Sequence, residues 1–123
     1  MEDFLQLRVI DFKQKFRQIS EYSKKYDFEC CGISAKQELF FLENIAEDTK
    51  NFFRIDPQAY FEIISSHEIE FLWHSHPYSS CVPSYADIDY CNEFCHDFLI
   101  YSVEGDNFCF FSHNSQESVY FSF

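Results

Sequence analysis

The apolar run Ile69-Glu70-Phe71-Leu72-Trp73 passes directly into His74-Ser75-His76-Pro77, and no other stretch restricts the fold so tightly. A short run rich in aromatic and β-branched residues predicts a buried strand. Alternate side chains of a strand share a face, so His74 and His76 point the same way with Cα atoms roughly 6.5–7 Å apart. Both imidazoles can then converge on one ion at about 2.0–2.1 Å from each nitrogen. Ser75 points away, and Trp73 faces the other side, where core packing is its expected role. Pro77 cannot continue a strand ladder, so the chain leaves the sheet after the second histidine. A loop from Tyr78 to Pro83 is expected next.

Ser84-Tyr85-Ala86-Asp87 has the spacing of a helix start, with a serine cap and an acid at the third helical position, where the helix dipole favours a carboxylate. From that first turn Asp87 can reach the ion held by His74 and His76. Two imidazoles and a carboxylate leave a fourth, water-filled position in a catalytic zinc site. The same ligand types also suit iron(II) or manganese.

His74-Ser75-His76-Pro77 followed by Ser84-Tyr85-Ala86-Asp87 resembles the signature of the JAMM metalloproteases, also called the MPN or JAB domain family. That signature includes an upstream glutamate followed, after one residue, by Cys-Gly. It is matched at Glu29-Cys30-Cys31-Gly32, with Asp27 where the family usually has proline. The resemblance runs from about residue 9 to the end. It implies an α/β (α+β) architecture, a mixed, warped sheet flanked by helices in a cytidine-deaminase-like fold, with one zinc per chain on His74, His76 and Asp87. It assigns Glu29 the proton shuttle of amide hydrolysis, and Ser84 a hydrogen bond to the water or the developing oxyanion. A surface acid is the plain alternative for Glu29, and capping alone for Ser84.

Family members cleave peptide or isopeptide bonds of ubiquitin or ubiquitin-like proteins, so the implied activity is that of a zinc metalloprotease acting on a protein or peptide. The Asn44 and Phe53-to-Pro57 segments, the Pro83-Ser84 pair and the small size resemble the domain that begins phage tail-tip assembly proteins, which adds phage tail proteins as expected partners. Two alternatives stay open: a catalytically idle metal-binding scaffold in tail assembly or another complex, and a hydrolase trimming an adduct of a sulfur-carrier protein.

A chain of 123 residues, 46% hydrophobic, is expected to form one domain over residues 1–123. Its formal charge of −12 argues against a nucleic-acid partner and against anionic membranes. With no charged leader, apolar signal or membrane-length segment in the sequence, the expectation is a cytoplasmic protein. Six cysteines without an export signal read as reduced thiols. Cys91, Cys95 and His96 are a candidate second metal group, but buried apolar thiols are the stronger reading. Cys30 and Cys31 are expected on opposite faces of a strand, one of them buried, and Cys81 lies in the loop beside the metal.

In chain order, Val9, Phe12, Phe16, Ile19 and Tyr22 predict the buried face of a helix over about residues 9–26, with Lys13, Arg17, Lys24 and Lys25 outward. Residues 31–35 and 38–42 predict a hairpin, with Glu29 at the helix-to-strand junction. Residues 44–51 read as a loop. Asp56 and Pro57 begin a helix that reaches about Ser66, with Tyr60, Ile63 and Ile64 inward and His67 exposed at its end. The helix after Ser84 carries Ile88, Cys91 and Cys95 on one stripe. Strands are expected at 98–101, 108–111 and 118–123, with a turn at 105–107 and His113 in the last connection.

Overall fold

The strand carrying the two histidines lies inside the sheet, with a neighbour on each side. The structure, a computed structural model, describes residues 11–123. In chain order the elements are α1 (Lys13–Ser23), β1 (Cys31–Ala35), β2 (Glu38–Leu42), α2 (Pro57–Ser66), β3 (Ile69–His76), α3 (Tyr85–Phe94), β4 (Phe98–Ser102), β5 (Asn107–Phe111) and β6 (Ser118–Phe121). They form one six-stranded mixed sheet in the order β2-β1-β3-β4-β5-β6. Every pairing is antiparallel except β3 with β4, which are parallel and joined through α3.

Alternation along β3 divides the core in two. Phe71 and Trp73 pack with Phe16 and Ile19 of α1 and with Leu99, Tyr101, Phe108 and Phe110. Leu72 belongs to the opposite face, with Ile33, Phe98 and Phe111 under Ile63 of α2 and Cys91 of α3. Fully burying a side chain of this size contributes about 1.5–3 kcal/mol. At the far end of the sheet Lys15 ties α1 down, donating to Ser34 Oγ at 2.8 Å and to Ala35 O at 2.6 Å and pairing with Glu70.

Gly32 is required by a close approach. The Trp73 indole crosses β1 there and donates to the Phe40 carbonyl at 3.2 Å. A Cβ on residue 32 would lie 1.9 Å from that carbonyl oxygen and 2.4 Å from Trp73 Nε1.

Several expectations are corrected. The first helix begins at Lys13 and ends at Ser23, and Val9 lies outside the described residues. Cys30 and Cys31 are both buried, because helices cover both faces of the sheet. Ile64 is 39% exposed: α2 touches the sheet along a narrow line through Ile63, and the next residue is turned about 100° away. Cys95 is exposed because α3 ends there in the left-handed conformation, φ 58°, which swings it off the Cys91 stripe. His67 is half-buried, its ring edge-on to Phe40 at 5.1 Å. The last strand stops at Phe121.

Candidate metal centre

The site forms where β3 ends beside the start of β1. Ser75 fastens the two strands: its N–H donates to the Cys30 carbonyl and its Oγ accepts from the Cys30 N–H, both at 2.9 Å. The antiparallel register pairs Cys31 with His74. Continuing it by two residues sets Glu29 opposite His76, and period two puts Glu29, His74 and His76 on one face. Their ligand atoms lie within 4.8 Å of one another, and all three residues are buried.

Residues 44–53 complete this corner. The Glu29 N–H donates to the Thr49 carbonyl at 2.7 Å, and the Asn44 side chain donates to the Glu29 carbonyl at 2.8 Å. Glu29 is 5% exposed and its Oε1 has no hydrogen-bond partner. Burial pushes its pKa up to about 8, with Asp87 and Asp48 adding to the rise and His76 opposing it.

Asp87 arrives from the first turn of α3, in the helix start expected from the sequence. Ser84 Oγ accepts from the Asp87 N–H and Asp87 Oδ2 accepts from the Ser84 N–H, both at 3.0 Å, forming a capping box. The Asp87 carboxylate stands 3.0 Å from His74 Nε2 through Oδ1 and 3.1 Å from His76 Nε2 through Oδ2. Burial alone would raise the Asp87 pKa. The two histidines and the Ser84 N–H outweigh it and hold the carboxyl well below the usual carboxylate range.

The two imidazoles are held differently. His76 Nδ1 lies 2.6 Å from the Ser80 carbonyl. A carbonyl can only accept, so Nδ1 carries the proton and Nε2 keeps a lone pair when the ring is neutral. Burial works against charge on His76, but Asp87, the Ser80 carbonyl and Glu29 raise its pKa overall. His74 is fully buried, and neither ring nitrogen makes an aligned hydrogen bond. Burial lowers its pKa, with Asp87 opposing. It is positioned by rings instead: Phe53 stacks on it at 4.2 Å and Phe98 meets it edge-on at 5.5 Å.

These residues fit a metal ion. Atoms bound at about 2.0–2.1 Å to one tetrahedral ion are separated by about 3.3–3.4 Å, close to the 3.0 and 3.1 Å between Asp87 and the imidazoles. His74 Nδ1 and Glu29 Oε1, buried without a hydrogen-bond partner, would otherwise carry a desolvation cost of about 1–3 kcal/mol each.

A search of family models matches residues 13–114 to the prokaryotic homologs of the JAB domain. The chain belongs to that family. Among solved structures, this JAB domain is similar to the solution structure of protein DSY2949 from Desulfitobacterium hafniense, with a TM-score of 0.66, 15% identity, and coverage of 89% of this chain and 87% of that one. At that identity the likeness speaks to the fold alone. No curated protein matches the chain.

The structure brings together all five residues singled out from the sequence, Glu29, His74, His76, Ser84 and Asp87. Phe53, Ser75 and Ser80 escaped that reading. Phe53 is only an aromatic before a turn in sequence, and a backbone carbonyl such as that of Ser80 leaves no trace in residue identity. Cys81 is buried against Ile100 and Cys109, and burial raises its thiol pKa. Cys91 Sγ donates to the His96 carbonyl while His96 Nε2 is bonded to the Tyr60 hydroxyl, so these groups are turned to separate partners. His113 lines a cavity with Ile69 and His96 at the opposite end of β3. All six cysteines stand as free thiols. Among the described residues no helix is long and apolar enough to cross a membrane.

Proposed function

We propose that this JAB domain is a zinc-dependent peptidase or isopeptidase, with the metal held by His74, His76 and Asp87. Bound there, zinc would supply a Lewis acid that lowers the pKa of a water towards about 7. Glu29 accepts that water's proton at its carboxylate and returns it to the leaving amide nitrogen. A buried carboxyl with an oxygen that has no fixed hydrogen-bond partner can take up a proton and release it again. Ser84 Oγ accepts the Asp87 N–H through a lone pair, which leaves its own O–H to donate to the developing oxyanion. The single observation that carries this reading is a buried carboxyl at Glu29, its Oε1 without a hydrogen-bond partner, clustered with His74 and His76 in a group able to hold a metal ion.

The expected substrate is a protein or peptide of ubiquitin-like fold or a phage tail protein, met in the cytoplasm or in a phage context. The test has two parts. Elemental analysis of protein purified without added metal should give one zinc per chain, lost in a His76→Ala, Asp87→Ala variant. Hydrolysis of a ubiquitin-fold isopeptide conjugate should require Glu29 and vanish in Glu29→Gln while zinc is retained.

A second reading, a metal-holding scaffold without catalysis, draws on the low exposure of the centre: Glu29, His74, His76 and Asp87 are each at most 6% exposed. Bound zinc with no cleavage in wild type or Glu29→Gln would favour it. Consumption of a sulfur-carrier adduct in place of the isopeptide conjugate would select the trimming hydrolase.

A further inference from the structure

The charges of this chain are sorted by position. All nine Lys and Arg residues precede Ile55, while residues 55–123 hold none and carry eleven of the 21 acids. The sheet turns that division into two faces. Five of the bases, Lys13, Lys15, Arg17, Lys24 and Lys25, lie on or just after α1 on one side, whereas α2, α3 and the metal centre are on the other.

The outward face of α3 is graded along its length. Tyr85, Asp89 and Glu93 are spaced four apart, so they form one stripe, and all three are exposed. The stripe begins with Tyr85, 91% exposed, directly after the Ser84 cap and two residues before Asp87 in the first turn. Tyr78 and Val82, on the loop whose Ser80 holds His76, are 62% and 56% exposed and extend the apolar end. Glu93 closes the far end, where it lines a cavity of about 460 Å³ with Phe53, Tyr60 and Phe94. The only base on that cavity is Arg54. Large exposed apolar side chains near a site mark a contact surface, and exposed carboxylates beside them favour a partner of opposite sign.

We propose that the α3 face is the docking track for a polypeptide substrate with apolar side chains next to the scissile bond and Lys or Arg about four residues away. From Tyr85 to Glu93 the helix rises about 12 Å at 1.5 Å per residue, the length of about four residues of extended chain at 3.3 Å each. The apolar positions therefore meet Tyr78, Val82 and Tyr85 near the metal, and the cationic ones meet Asp89 and Glu93. This names a substrate class for the hydrolase reading above and rests on it.

The test measures binding, so that it does not depend on turnover. Zinc-loaded Glu29→Gln protein is titrated into a short fluorescein-labelled peptide of alternating leucine and lysine, and into its leucine–glutamate counterpart, with fluorescence anisotropy as the readout. The lysine peptide should bind roughly tenfold or more tightly than the glutamate peptide, with affinity falling as salt rises. Asp89→Lys with Glu93→Lys should weaken it roughly tenfold and flatten the salt dependence, and Tyr85→Ser should weaken it severalfold with the salt dependence kept. A control pair on exposed acids elsewhere, Glu21→Lys with Glu38→Lys, changes net charge equally and should leave affinity within about twofold. Tyr85, Asp89, Glu93, Glu21 and Glu38 are all exposed, and circular dichroism with zinc stoichiometry checks that each variant folds.

Equal binding of the two peptides, no binding of either, or equal weakening by the control pair would overturn the inference. Wild-type protein that binds in the expected pattern but cleaves no conjugate overturns the hydrolase reading instead. Cleavage without the pattern spares that reading and removes the docking track.

Discussion

Phe53 lies face-on against His74, with ring centroids 4.2 Å apart and planes inclined by 17°. It packs on an imidazole that has no aligned hydrogen bond to orient it. Phe53→Ala should cost about 3 kcal/mol of stability and lower zinc affinity roughly 10- to 100-fold, the range seen when support around a ligand is removed. Urea unfolding and competition with a chromophoric chelator measure the two effects. Unchanged zinc affinity in the folded variant would show that the stacking does not position His74.

Glu29 gives a signed pH dependence. Its pKa moves from an ordinary 4.5 to about 8 on folding, so between those values the folded chain holds a proton that the unfolded chain has released. Stability of the metal-free protein should therefore decline as pH rises from about 4.5 through 8, by up to a few kcal/mol, and level off above. Glu29→Gln should lose this component. Unfolding with chelator at several pH values checks it, and identical slopes in the two proteins would contradict the assigned burial.

Ser84 caps α3 and is also the proposed oxyanion donor, and glycine separates the roles. Ser84→Gly should cost only a few tenths of a kcal/mol, because glycine is a tolerated cap, while Ser84→Ala should cost about 1 kcal/mol. Both lack the hydroxyl, so both should lose cleavage of the isopeptide conjugate to a similar degree. A glycine variant that cleaves at the wild-type rate removes Ser84 from the chemistry.

Gly32→Ala should destabilise by about 3 kcal/mol or more, the upper range for overpacking, because the added Cβ would meet the Phe40 backbone oxygen at 1.9 Å and the Trp73 indole at 2.4 Å. Trp73 is the only tryptophan, so a change in its emission reports the displaced ring directly. Wild-type stability with unaltered fluorescence would refute the close approach.

Zinc should stabilise the wild type by about 2.7 kcal/mol at a free concentration 100 times its dissociation constant. Asp87→Asn removes the carboxylate between the two imidazoles, and its melting temperature should respond weakly to added zinc. Scanning calorimetry with and without metal makes the comparison, and equal shifts in the two proteins would place the ion elsewhere.

Local sequence determined much of this molecule. Period-two alternation puts His74 and His76 on one face, Pro77 ends their strand, and the Ser84-to-Asp87 spacing builds a capping box, because each depends on residues a few positions apart. The hairpin, the Asp56–Pro57 helix start and the strands that follow α3 were legible for the same reason. Ile64 and Cys95 show where periodicity fails: a helical pattern cannot say how wide a stripe the sheet will cover, or that the last turn will open into the left-handed region. The tertiary structure alone decided which distant groups reach the candidate metal centre. Glu29 stands opposite His76 only through the β1–β3 register, Phe53 reaches His74 only once residues 44–53 fold over the strand ends, and Ser80 fixes a tautomer through a backbone atom. Such contacts join residues far apart in the chain, or use groups every residue possesses, so residue identity alone could not specify them.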